Sequence, residues 1–182
     1  IHELEYLDVA DSDADGGVTA NAFNSVDRGG NLNWLFPAKD AVNIWLGTNS
    51  TAWQDGVNWS LQRTSVDSDH VVITNGCPFY PIVDIDKFVA GLTILPGASL
   101  SLNGFDFTVN GPTTIKGSVF ADNSETITFK GDVDLVGSSI IEAQSTFLFA
   151  GEELQTIRMD GCGLYVIRLT NSEGVVFDGA VI

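Results

Sequence analysis

The strongest chemical signal in the sequence is an acidic run near its start. Asp11, Asp13 and Asp15 alternate with Ser12 and Ala14, and a glycine follows. Alternate carboxylates ahead of a turn that glycine permits are typical of the first half of a calcium loop. The second half of an EF-hand is absent, because an alanine stands where its bidentate Glu would be. One interpretation is a different calcium loop on Asp11, Asp13 and Asp15, and the other is a solvated acidic turn.

Two pairs of aspartates each share one face of a predicted strand. They are Asp84 with Asp86, and Asp132 with Asp134. Paired carboxylates can act as general acid and base, or hold calcium as in polysaccharide lyases. Alternation explains them more simply, because Ile85 and Val133 would then point inward and the aspartates would point to solvent. A lyase would also need Lys or Arg beside the carboxylates, and the sequence shows no such clustering.

Three of the four tryptophans, Trp45, Trp53 and Trp59, lie in one short stretch. Exposed indoles stack on sugar rings, so one interpretation is a carbohydrate-binding platform. The alternative is a lid, because the end of a solenoid exposes strand edges and apolar interior that aromatic side chains can cover. The platform predicts exposed, coplanar indoles, whereas the lid predicts buried ones.

Nucleophilic catalysis has no support in the sequence. His2 and His70 have no nearby nucleophile motif such as G-x-S-x-G, and we expect both at the surface. Cys77 and Cys162 lack the spacing of a zinc site, while a disulfide between them stays open. We therefore predict no catalytic residue, no enzymatic activity and no cofactor other than the calcium considered above.

The composition restricts the partners of the chain. Its 182 residues include 24 acidic and 8 basic side chains, for a net charge of −16, and 44% are hydrophobic. Such a charge argues against binding to nucleic acid or to anionic membranes without a bridging cation. No apolar run approaches the roughly 20 residues of a membrane-spanning helix, so we expect no membrane insertion. We expect a soluble chain whose export signal, if any, has been removed.

The elements that must position these residues are predicted to be almost entirely β. From Val71 onward, short runs of branched and aromatic residues alternate with Gly, Asn, Asp and Pro, and apolar residues recur at period two. Such short strands and turns leave a sandwich, a barrel or a solenoid. Two echoes favour a solenoid: residues 115–119 return as 129–133, and residues 92–104 return as 167–179. The predicted fold is a right-handed parallel β-solenoid, with a β-sandwich as the alternative.

Three segments are predicted along the chain. Residues 1–37 contain one strand, from Leu4 to Val9, and a polar stretch that ends before Pro37. Residues 38–70 form an aromatic-rich cap at the N-terminal end of the solenoid. Residues 71–182 form the solenoid coils.

Several characteristic motifs are spread along most of the chain. The cap carries the patterns W-x-G, S-x-x-W and N-W-S at residues 45–47, 50–53 and 58–60, and residues 92–94 read Leu-Thr-Ile ahead of Gly97. Together they resemble the β-helix modules of large secreted bacterial surface, adhesin-like proteins, as do the later residues 145–177. Residues 11–36 resemble the segment with which such modules end.

The resemblance implies a structural, non-enzymatic module at the cell surface or in a filament, in permuted order. We expect the strand at residues 1–9 to stack on the open last coil of the same chain or of a neighbouring module. The predicted interface residues are Ile1, Leu4, Tyr6, Val175, Phe177, Val181 and Ile182. A carbohydrate-binding adhesin module, with a glycan as partner, and a β-helix enzyme acting on polysaccharide are the alternatives.

Overall fold

The computed structural model describes residues 4–179, and it confirms an all-β fold of stacked parallel strands. Within these residues the helical content is one 3-10 turn, Gly56–Asn58, capped by the Asp55 carboxylate, which accepts a bond from the Val57 N–H. The strand pairs are parallel, as a solenoid requires and a sandwich of antiparallel sheets does not. The chain divides into two compact units, the first ending at Ala41 and the second beginning at Val42.

The first unit is itself wound from short parallel strands. They are β1 (Leu4–Glu5), β2 (Asp8–Val9), β3 (Ala20–Phe23), β4 (Val26–Asp27) and β5 (Trp34–Leu35). One sheet has the order β1-β3-β5 and the other pairs β2 with β4. The single strand predicted from Leu4 to Val9 is wrong, because Tyr6 adopts φ +54° and turns the chain between β1 and β2.

The second unit contains the remaining strands. They are β6 (Val42–Trp45), β7 (His70–Ile73), β8 (Lys87–Val89), β9 (Gly91–Ile94), β10 (Ser99–Ser101), β11 (Phe107–Val109), β12 (Thr113–Ile115), β13 (Ser118–Ala121), β14 (Thr126–Phe129), β15 (Val133–Asp134), β16 (Ser139–Glu142), β17 (Thr146–Phe149), β18 (Gln155–Arg158), β19 (Val166–Leu169) and β20 (Val175–Asp178). The first of them starts inside the predicted cap, so that this segment contributes strands as well as a lid.

Three sheets form the sides of this second winding. A seven-stranded sheet has the order β20-β18-β15-β12-β9-β7-β6, a five-stranded sheet the order β19-β17-β14-β11-β8, and a three-stranded sheet the order β10-β13-β16. From β8 to β18, successive strands of the chain visit the five-stranded, the seven-stranded and then the three-stranded sheet. Each circuit therefore places a strand beside the equivalent strand of the coil before it.

The register fixes the length of a coil at about 20 residues. Phe107 pairs with Ile127, Ile127 with Phe147, and Phe147 with Ile167. In the stacked coils Ile115 pairs with Ile94 and not with a residue of the segment 129–133. The similarity between residues 115–119 and 129–133 is therefore a similarity between two different corners. The solenoid prediction is right, but this period is not the one that stacks the coils.

Alternation places one face of each strand in the core. Phe107 and Val109 of β11 are buried, and Thr108 between them is half-buried on the outer face. Val133 is buried as expected. Ile85 is instead 47% exposed, because the predicted strand at residues 82–88 begins only at Lys87. Asp84 and Asp86 consequently do not lie on one face of a strand.

Candidate assembly site

The last described coil of the second unit, formed by β19 and β20, is paired on one side only. β19 lies beside β17 and β20 beside β18, and each is the terminal strand of its sheet. A strand at the edge of a sheet presents unpaired backbone N–H and C=O groups that can template another strand. We call this coil, the last one within residues 4–179, the open end.

Side chains at the open end repeat the inward positions of the coils below. Phe147 is 1% exposed, whereas Ile167, its neighbour in register, is 36% exposed. Phe149 is 0% exposed and Leu169 beside it is 53% exposed. These residues occupy the inward positions of their strand, but no further coil covers them within residues 4–179. The apolar interior of the solenoid thus reaches the surface here.

In β20 the predicted interface residues Val175 and Phe177 occupy the same kind of position. Both are half-buried and pack against the core, and the Phe177 ring meets Phe149 edge to face with centroids 6.3 Å apart. Because Phe177 covers only part of the coil below, its outer side stays available to a further coil.

Backbone groups at the open end also point outward. The Thr170 N–H donates to the Phe149 carbonyl at 3.0 Å. In a parallel pair, alternate residues bond to the same neighbour, so the N–H groups of Ile167 and Leu169 point to the other side. A further parallel strand would give these donors their acceptors.

Opposite charges alternate along one outer face toward the open end. Asp134 lies 2.7 Å from the Lys116 ammonium, and burial opposes but does not overcome the hydrogen bond and attraction from Lys116, which lower its pKa. Arg158 bridges Asp134 and Asp178 at 3.7 and 3.5 Å. Arg168, in the last coil, makes no ion pair within residues 4–179. It therefore provides a free cation beside the open end.

The first unit begins with a second pair of edge strands. β1 is the terminal strand of its sheet, and β2 pairs with β4 alone in the described chain. Leu4 is half-buried and Tyr6 is 77% exposed. The predicted interface residues Ile1, Val181 and Ile182 lie outside the described residues.

The predicted calcium ligands do not converge in the structure. The Asp13 carboxylate accepts the Asp15 N–H at 2.7 Å, and the Asp13 backbone bridges to Leu32. Between residues 4 and 179 no three acidic, His or Cys side chains gather in a way that could hold a metal ion. The geometry fits the solvated acidic turn, in which Asp13 caps its own loop.

The other aspartates hold neighbouring coils together. Asp86 accepts the Asp106 N–H at 3.0 Å, Asp106 accepts the Thr126 N–H, and Asp132 accepts the Thr156 N–H at 2.7 Å. Each bond reaches the strand of the next coil. The sequence shows the alternation that turns these carboxylates outward, but it does not reveal the amide that each one meets.

Sequence reasoning missed a cation between carboxylates at the start of the solenoid. Lys87 is buried, its Nζ donates to Gln54 Oε1 at 3.1 Å, and desolvation lowers its pKa against the attraction of Asp84 and Asp67. The Asp84 Oδ1 atom is buried without a hydrogen-bond partner in the described structure. The inward position of Lys87 in β8 is the feature that could have revealed this cluster, since lysine rarely occupies a buried site.

The tryptophan platform is contradicted by burial. Trp45, Trp53 and Trp59 are each 0% exposed, with ring centroids 4.8 to 6.3 Å apart. Each indole N–H is bonded inside the protein, to Phe79 O, Ser65 Oγ and Trp53 O respectively. Rings without an exposed face cannot stack on a sugar, so these residues form the aromatic lid.

A cavity within the core does not provide a substrate site. Its volume of about 10 Å³ leaves room for about one water molecule, and its lining is apolar, including Leu92, Phe107 and Phe147.

The two cysteines, Cys77 and Cys162, are both free, and burial raises the pKa of the Cys162 thiol.

Comparison of the chain with protein-family models, with curated proteins and with solved structures finds no match. The described residues contain no helix with the length and hydropathy needed to cross a bilayer.

Proposed function

We propose that the chain is a structural, non-enzymatic module of an extracellular bacterial surface or filament protein, and that such modules associate end to end by stacking coil on coil. The extracellular and bacterial parts of the proposal rest on the resemblance of the W-x-G, S-x-x-W and N-W-S patterns to secreted β-helix modules. The end-to-end part rests on the geometry of the open end.

One observation carries the proposal. The inward positions that are 1% and 0% exposed at Phe147 and Phe149 become 36% and 53% exposed at Ile167 and Leu169. A contiguous apolar surface beside unpaired backbone groups marks an interaction site. A coil stacked at about 4.8 Å would cover both at once.

The acidic exterior would restrict association to the ends. A net charge of −16 makes side-by-side approach of two copies unfavourable. At the open end the apolar centre and the Arg168 cation lie beside Glu173 and Asp178, and burial of the apolar side chains would offset the remaining repulsion. Modules would therefore lengthen along the axis of stacking while lateral aggregation is suppressed.

The test is a matched pair of lysine substitutions. Leu169→Lys places a charge on the open end, while Leu154→Lys makes the same change at a corner residue that is 59% exposed. Because Leu169 would lose burial of up to about 2 kcal/mol and a charge would be desolvated, association should weaken by about tenfold or more. Light scattering over a concentration series measures the mass relative to the 19.4 kDa single chain.

Leu154→Lys should assemble as the unmodified chain does. A single-copy mass for the unmodified chain at every concentration would reject the proposal. Equal assembly of the two variants would show that the open end is not the contact.

A further inference from the structure

Each unit has a pair of edge strands at one of its ends. β1 and β2 begin the first unit, and β19 and β20 form the last described coil of the second. In both pairs the strands follow one another directly in the chain and lack a partner on one side within residues 4–179. Each pair therefore forms an edge of its sheets within residues 4–179.

Strand direction decides which ends can meet. The ladders of both units are parallel, and inward residues stay inward from coil to coil. A copy that places its first coil on the last coil of another continues this pattern. Two last coils facing each other would be related by a twofold axis and would have to pair antiparallel.

The corners between the two strands are compatible with stacking. Tyr6 and Leu7 separate β1 from β2, and residues 170–174 separate β19 from β20. Inside the solenoid, corners of unequal length already stack, because Ala90 alone lies between β8 and β9 while residues 110–112 lie between β11 and β12. Corners of unequal length can therefore lie in consecutive coils.

Charge complements the same pairing. Residues 4–15 contain five carboxylates and no Lys or Arg, whereas Arg168 is the only charged side chain of residues 161–172. The guanidinium of Arg168 has no ion-pair partner in the described part of the chain. An acidic first coil is the partner that this cation favours.

We infer that β1 and β2 of one copy pair in parallel with β19 and β20 of a second copy, so that the interface is head to tail. The inference rests on the proposed end-to-end function and adds which strands meet. Because the two surfaces differ, each copy keeps one free surface after pairing, and assembly continues in one direction.

Mixing two blocked variants tests the pairing. The Tyr6 N–H donates to Phe23 O at 3.1 Å, so the Glu5 N–H points away from β3 toward the open side. Glu5→Pro removes that donor, and Glu5→Ala is the control because both variants lose the ion pair with Lys39. Glu5→Pro and Leu169→Lys should each stay single by light scattering, and their mixture should give a 1:1 complex.

The outcomes separate the two proposals. A single-copy mass for the unmodified chain overturns the proposed function itself. If the unmodified chain assembles and Glu5→Pro assembles equally well, the function stands and the strand pairing is wrong. Failure of the mixture to form a complex also overturns the pairing. Assembly of Leu169→Lys alone overturns it too, because the copies would then associate through two first coils or through another contact.

A charge reversal provides an independent measurement that preserves the backbone of β1. Arg168→Glu should weaken assembly severalfold, and the loss should shrink at high salt. Lys130→Glu is the matched control, since Lys130 is an exposed cation at a corner of an inner coil. Equal effects of the two reversals would overturn the pairing, because net charge rather than the open end would then govern assembly.

Discussion

Asp69 shows how much a single buried charge contributes to the start of the solenoid. Its side chain is 0% exposed, receives two bonds from Arg63 at 2.6 and 2.8 Å, and accepts a third from the Asn43 amide. Removing one partner of such a pair leaves the other charge without compensation. The cluster joins β6 to the loop before β7.

Asp69→Ala should therefore lower the free energy of unfolding by about 3–5 kcal/mol. Asp8→Ala is the control, because its bond to Arg28 is exposed and such surface pairs contribute little to stability. Denaturant unfolding of both variants measures the difference. Similar losses in the two variants would contradict the structural role assigned to Asp69.

Glu142 predicts a pH dependence of stability. Burial raises its pKa above the ordinary value of 4.5, although a hydrogen bond from the Tyr165 backbone opposes the shift. A carboxyl whose pKa is raised by folding binds its proton more tightly in the folded state, so the fold loses stability as pH rises above 4.5 through the folded value. Glu142→Gln should remove this contribution to the dependence of stability on pH. Thermal unfolding of both proteins between pH 4 and 8 measures it, and an equal dependence on pH in the two proteins would refute the prediction.

Residue-scale prediction from the sequence succeeded where alternation alone decides. It placed Val133 inside and Asp132 outside, and it raised the lid as an alternative for the tryptophans. It could not show that Asp132 caps the Thr156 amide, because that contact joins residues from different coils. Lys87 was missed for the same reason, since Gln54 reaches it from the lid.

At the scale of elements, glycines set the spacing of the corners. A Cβ on Gly131 would lie 2.5 Å from the backbone carbon of Gly111 in the coil below. Backbone atoms cannot move aside as a flexible side chain could, so Gly131→Ala should force the two corners apart. The expected cost is about 1–3 kcal/mol in the free energy of unfolding.

Gly163→Ala is the matched control for this prediction. Gly163 has no atom within 4 Å of the added Cβ, and its φ lies outside the positive range. The control should unfold at nearly the denaturant concentration of the unmodified chain. A Gly131→Ala variant as stable as the control would contradict close stacking of the corners.

Strands were predicted more reliably than the coils that they form. The strand Thr126–Phe129 is one of the short runs of branched and aromatic residues that predict strands after Val71, and turn residues flank it on both sides. The repeat was misassigned because Lys-Gly occurs at a corner after β12 and at another after β14, so two corners of different kinds look alike. Coil length varies too, since Val133 pairs with Ile157 rather than with a residue 20 positions later.

At the scale of the whole molecule, the account gives the two ends of the second unit different roles. The lid at the start of the second unit satisfies its own polar groups, whereas the last described coil leaves Ile167 and Leu169 uncovered. The sequence predicted that the strands would stack into coils. The degree of exposure follows only from the register, which short-range patterns do not determine.

Hydrogen exchange of the unmodified chain tests this account most directly. The amides of Ile167 and Leu169 should exchange fast in dilute solution and become protected as concentration rises, because a second copy then supplies their acceptors. The amides of β14, paired on both sides, should remain protected throughout. Fast exchange at Ile167 and Leu169 in concentrated samples that light scattering shows to be assembled would contradict end-to-end stacking.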